Sequence, residues 1–243
     1  MDPREYHHLA ELEDQHWWYA GMRASARALL TQLALPRPAR ILDAGCGTGG
    51  GLRWLAEFGQ PHGVDWHPLA VHYARRAAPR VARASIQTLP FPDATFDLVT
   101  SFDVLYHLAV ADDAAALREC ARVLRPGGWL LVRVPAHDWL RGAHDRYVHT
   151  RHRYAAPELR AKLTAARLTV ARLTPLAALL FPAAVLRRQL QSADSAQTDV
   201  QLPARWLNQL LTMVLSWEAL WLRGGNLPFG LSLAALAQKP PAD

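Results

Sequence analysis

The sequence predicts an α/β fold built on a doubly wound, largely parallel sheet, and three observations carry that expectation. Ile41-Leu42 run into Asp43-Ala44, five glycines crowd residues 45–51, and Leu52 and Leu55 then resume at helical spacing. This is the pattern of a buried strand, a glycine loop and a helix start. Apolar runs at 62–66, 81–86, 96–100 and 129–135 alternate with helix-forming stretches, as in crossover-connected parallel strands. Asp65 closes the second run about twenty residues past the loop, where such sheets place a carboxylate for ribose hydroxyls.

A chain of 243 residues, 51% hydrophobic, buries one sizeable core. The first residues, Met1-Asp2-Pro3-Arg4-Glu5, lack a basic-then-apolar leader, so a cytoplasmic protein is expected. Cys46 and Cys120 are the two cysteines, too few for a disulfide framework or a zinc site. Net charge is +6, but residues 133–190 hold eleven basic and three acidic residues, a local +8. Such a region suits an anionic small molecule or an acidic membrane surface, and equally a solvated arginine-rich face. No nucleic-acid module accompanies it.

Gly45, Gly47 and Gly50 satisfy G-x-G-x-x-G, so the glycines alone do not separate a dinucleotide from S-adenosylmethionine. Asp43 is the discriminating residue. A carboxylate beside the loop repels a pyrophosphate and suits an ammonium and a sulfonium, while loop amides meet the methionine carboxylate. An NAD(P)-dependent oxidoreductase and a binding protein without catalysis stand as the alternatives.

Asp43-Ala44-Gly45-Cys46-Gly47-Thr48-Gly49 resembles the first motif of class I S-adenosylmethionine-dependent methyltransferases, in particular the quinone-biosynthesis-like branch. Phe96-Asp97-Leu98-Val99 followed by Leu105-Tyr106-His107-Leu108, and Arg122-Val123-Leu124-Arg125-Pro126-Gly127-Gly128, resemble two later motifs of the same family in the same order. The resemblance spans residues 41–134 and implies a Rossmann-like sheet of seven strands with an antiparallel last strand at its edge. It also implies S-adenosyl-L-methionine as the cofactor.

Taken in order, residues 1–38 form an N-terminal helical cap, with a broken helix through Leu9, Leu12, Trp17, Trp18 and Met22 and a second over 24–35. The resemblance places Tyr19 and Arg23 near the methionine end of the cofactor. The core, 39–174, supplies Asp43, Gly45, Gly47, Gly49, Asp65 and Trp66. Ser85 stands where the family usually has an acidic residue near the adenine, so its contact is a weaker one, and Ile86 packs on the ring. Ser101 and Phe102 end the fourth strand. His107 falls beyond that strand end and is the leading general base or acceptor-orienting residue; His144 and His149, in the loop 144–154, are secondary candidates. No metal is called for.

Residues 175–229 read as an apolar helical insertion, broken at Pro182, with a narrow polar stripe at Arg205, Asn208, Gln209, Thr212 and Ser216. A lid, a peripheral contact with a membrane surface through 175–223, and packing against the core are the readings it allows. Residues 230–243 hold the last strand. The expected activity is methylation of a small hydrophobic or amphiphilic, anionic acceptor such as a lipid, a quinone-like molecule or a lipid-linked sugar. The acceptor atom and the oligomeric state are not legible.

Overall fold

The computed structural model describes residues 3–142, 145–146, 148–190 and 202–241. Helices α1 (Pro3–Leu12) and α2 (Trp17–Leu30) precede β1 (Ala39–Ala44), α3 (Gly50–Leu55), β2 (Gly59–Asp65), α4 (Pro68–Ala77) and β3 (Val81–Arg83). There follow β4 (Phe96–Phe102), α5 (Asp113–Val123), β5 (Leu124–Pro135), a 3-10 turn at Asp138–Leu140, α6 (Ala156–Ala165), β6 (Thr169–Leu176), α7 (Phe181–Leu190), α8 (Arg205–Trp221) and β7 (Ser232–Gln238).

The strands form one sheet in the order β3-β2-β1-β4-β5-β7-β6. All pairs are parallel except those made by β7, which is antiparallel to both β5 and β6. The antiparallel last strand is as expected, but it is not at the edge. Ser232 to Ala237 are buried without a break, and the alternately exposed β6 takes the rim. A strand with both faces covered reads as a continuous small and apolar run, which Ser-Leu-Ala-Ala-Leu-Ala is.

Strand alternation assigns the two faces of the sheet. Leu42, Val99 and Val132 join a core with Leu117 of α5 and Leu159 and Leu163 of α6. Their neighbours Ile41, Leu98 and Leu131 join Met22 and Leu29 of α2 and Leu215 of α8 on the other face. Gly21 makes the α2–α8 approach possible, because a Cβ there would lie 2.3 Å from Leu215 Cδ1 and 2.5 Å from its Cβ. Gly21→Val is therefore expected to push the helices apart and lower the unfolding free energy by about 1–3 kcal/mol in urea titration.

Two local expectations change. The leader breaks earlier than its apolar spacing implies: His16 caps α2, its Nδ1 accepting from the Trp18 amide at 3.2 Å, so Trp17 and Trp18 open the second helix rather than sit inside the first. Pro182 opens α7 rather than breaking it, since a first-turn proline gives up no intrahelical hydrogen bond.

Candidate cofactor and acceptor site

Sheet order reverses between β1 and β4, and the crevice at their carboxyl ends is where open α/β sheets bind ligands. Gly45, Gly47 and Gly49 hold φ of 88°, 54° and 96°, left-handed values that favour glycine. A Cβ on Gly49 would lie 2.8 Å from Ala74 Cα, so α4 backs directly onto the loop.

Three carboxylates ring this loop. Asp65 accepts from the Gly47 amide (3.0 Å) and the His67 amide (2.9 Å). Asp43 is buried and accepts from Thr100 Oγ1 at 2.8 Å. Glu13, from the α1–α2 turn, is also buried and accepts from Thr48 Oγ1 (2.7 Å) and Arg53 (2.9 Å). Burial pushes all three above the usual carboxylate range, Asp43 to about 7, with Asp65 and Glu13 reinforcing that rise and Arg133 opposing it. The sequence reading treats Asp43 as a negative charge at the strand end, bordering the loop. In the structure the carboxyl is buried beneath the loop, and burial raises it to about 7.

The leader lies across the loop. Tyr6 stacks on His67 with centroids 4.3 Å apart and planes 12° apart. Arg23 donates to the Glu13 and Asp14 carbonyls, so its guanidinium staples the α1–α2 turn. Tyr19 is held near Asp103, and burial first and Asp103 second raise its phenol to about 12. Trp66 is exposed, with the Arg83 guanidinium over its ring at 5.5 Å. Ser85 Oγ accepts from the Gln87 amide at 3.2 Å, and Ile86 is buried. Ser101 is buried with a hydroxyl that has no hydrogen-bond partner among the described residues. Phe102 lies under the Arg133 guanidinium at 5.2 Å.

Beyond β4 the chain turns at Asp103, whose φ of 59° is unusual for a residue with a side chain. Arg133 Nε and Nη2 both donate to Asp103 Oδ2, at 3.1 and 2.5 Å. His107 Nδ1 accepts from the Ala109 amide at 3.0 Å, which leaves the proton of the neutral ring on Nε2. Burial holds His107 below the usual histidine range, with His149 adding to the effect. The two rings meet edge to face at 5.8 Å. His144 lies outside the described residues. The loop itself is anchored by Asp145 and Arg153, paired at 2.8 and 3.1 Å with both side chains buried, rather than by exposed surface pairs.

Glu13, Asp103 and Arg133 escape the sequence reading. Arg133 is the one with a signal, a charge inside the otherwise apolar Trp129-Leu130-Leu131-Val132-Arg133-Val134. A buried charge is retained only where something pairs with it.

This strand order, with the glycine loop at the switch point and acids closing β1 and β2, is the Rossmann-like methyltransferase fold. Residues 42–132 match a family model described as a methyltransferase domain. Over 132 residues the chain is 38% identical to a probable S-adenosylmethionine-dependent methyltransferase of Mycobacterium tuberculosis, covering 52% of this chain and 46% of that one. It is 36% identical over 118 residues to a fatty-acid O-methyltransferase of Mycolicibacterium smegmatis, covering 44% of this chain and 42% of the relative. The chain thus spans less than half the length of both relatives. An S-adenosylmethionine-dependent methyltransferase from Mesorhizobium loti superposes with a TM-score of 0.61 at 20% identity, over 88% of this chain and 97% of that one, a likeness of fold. Residues 42–132 are therefore similar to a methyltransferase domain, and a relative over much of that stretch is named as an S-adenosylmethionine-dependent enzyme. A demethylmenaquinone methyltransferase of Tropheryma whipplei is also similar, 33% identical over 129 residues and covering 51% of this chain and 50% of that one, so the relatives include the quinone-biosynthesis branch without singling it out.

Proposed function

We propose that this chain methylates a small amphiphilic acceptor with S-adenosylmethionine. The observation that carries the reading is the ring of Glu13, Asp43 and Asp65 around the glycine loop, where Arg53 is already paired with Glu13 and Asp14. That environment favours a cation and disfavours a diphosphate. Bound there, S-adenosylmethionine would supply an electrophilic methyl group on a cationic sulfur for transfer to an acceptor lone pair.

The chain's residues then divide by position. Asp65 takes the ribose hydroxyls; Trp66, Ser85 and Ile86 border the adenine. Gly45, Gly47 and Gly49 let the backbone approach, and Asp43 faces the cationic end. Tyr19, on α2 just past the turn that Arg23 staples, closes over the methionine side, while Ser101 and Phe102 floor the crevice. His107 and His149 stand toward the acceptor. With its Nδ1 engaged, His107 orients the acceptor by donating from Nε2. Alignment and exclusion of water are the main demands of an in-line displacement.

An apolar cleft of about 430 Å³, lined by Phe181, Pro182, Val185, Leu186 and Phe229, supports a lipophilic acceptor. It flanks the junction of β6 and β7, where Leu176 and Pro135 pair with Ser232, the end of the sheet at which β5 finishes. Contact of the 175–223 segment with a membrane belongs to the same reading.

Calorimetry with S-adenosylmethionine and with NAD tests the assignment: binding of the first alone is expected, and binding of the second alone overturns it. The Asp43 carboxyl adds a pH signature. Its folded value, raised to about 7, lies above the unfolded one, so its contribution to stability is full below the unfolded value and lost as pH rises toward and through 7. A bound cation favours the ionised form, so affinity should rise about tenfold between pH 6 and pH 8. Asp43→Asn should flatten that profile.

A further inference from the structure

Helix α8 is amphipathic in the reverse sense. Asn208 and Glu218 face the protein: Asn208 accepts from the Trp17 amide (3.0 Å) and donates to the Gln15 carbonyl (2.9 Å). Buried Glu218 accepts from the amides of Ala178 (3.1 Å) and Leu179 (2.6 Å). Thr212 and Ser216 close back onto the carbonyls of Asn208 and Thr212. Outward stand Trp206, Leu210, Met213, Trp217, Leu220 and Trp221, between 47% and 67% exposed. From Trp206 to Leu220 the spacing alternates four and three residues, and Trp221 lies four past Trp217, which makes one continuous stripe; contiguous apolar surface of this kind marks a contact site.

Charge decides what covers it. The only acid of α8, Glu218, is buried and occupied, while Arg205 at the start of the helix and Arg223 just past its end are exposed and have no ion pair among the described residues. They sit symmetrically about Val214. An antiparallel pairing of α8 with itself sets each Arg205 beside an Arg223, and a parallel pairing sets like beside like, with no acid to offset either. An anionic headgroup layer supplies the missing charge, and tryptophans suit the boundary between headgroup and acyl chain. No helix among the described residues is long and apolar enough to cross a membrane, so the helix lies in the plane of the surface.

We propose that the outward face of α8 docks this protein onto an anionic lipid bilayer, which deepens and rests on the reading of an amphiphilic acceptor. Flotation of the full chain with phosphatidylcholine vesicles, and with phosphatidylcholine–phosphatidylglycerol vesicles, tests it without cofactor or acceptor present. Binding to the mixed vesicles is expected. The W206S/W217S/W221S variant should weaken it about a hundredfold. The R205Q/R223Q variant should weaken it about tenfold and reduce its salt dependence. Both variants should keep the thermal unfolding and S-adenosylmethionine affinity of the parent, so failure of the methyltransferase reading shows separately in calorimetry. Absence of vesicle binding by the parent, unchanged binding by a folded triple variant, or a dimer in sedimentation velocity that the tryptophan substitutions dissolve would each overturn the proposal.

Discussion

Asp145→Ala is expected to lower the unfolding free energy by about 3–5 kcal/mol in urea titration. Asp145 and Arg153 are both buried and joined by two hydrogen bonds, and Asp145 also accepts from the Gly142 amide at 2.8 Å. Removing the carboxylate strands a guanidinium where water does not reach, and an uncompensated buried charge costs more than the pair contributes. Arg153→Met in the same chain removes that stranded charge and is expected to recover most of the loss. If the double variant is no better than the single one, the lost backbone anchoring of the loop, rather than the orphaned cation, is the cause. The Arg153–Ala136 carbonyl bond at 3.2 Å joins this anchor to the end of β5, so the acceptor-side loop should lose order together with stability.

Asp65→Ala is expected to weaken S-adenosylmethionine binding about a hundredfold, the loss of two charge-assisted hydrogen bonds at about 1.5 kcal/mol each. The apo protein should change little in stability. Asp65 holds the Gly47 and His67 amides, but burial raises its carboxyl above the usual range, so the folded state gains by shedding a charge what it loses in hydrogen bonds. Asp65→Asn, which keeps a hydrogen-bonding side chain without the charge, should fall between the two. Calorimetry separates affinity from stability, and an Asp65→Ala protein that binds the cofactor at parental strength would remove this residue from the ribose role.

The parts of the fold legible in the sequence are those that local chemistry dictates. β1, β4 and β5 are buried on both faces and announce themselves as apolar runs, and positive-φ glycines mark the loop between β1 and α3. What was not legible depends on partners distant in the chain. β3 ends at Arg83, because Ala84 to Thr88 turn back on themselves through the Ser85–Thr88 bridge. Glu13 joins the loop through Thr48, thirty-five residues on, and a leader glutamate carries no mark of that. The stripe of α8 was visible, but the direction it faces was not, since periodicity locates a face without saying which way it turns.

The placement of β7 has a consequence for how the chain is made. Between synthesis of β6 and arrival of residues 232–238, β5 and β6 each present an unpaired backbone edge, and such edges recruit strands from other chains. The ribosome must release the chain through residue 238 before the sheet can be sealed, so truncations that stop short of Ser232 should be recovered as aggregates rather than as shortened, folded proteins.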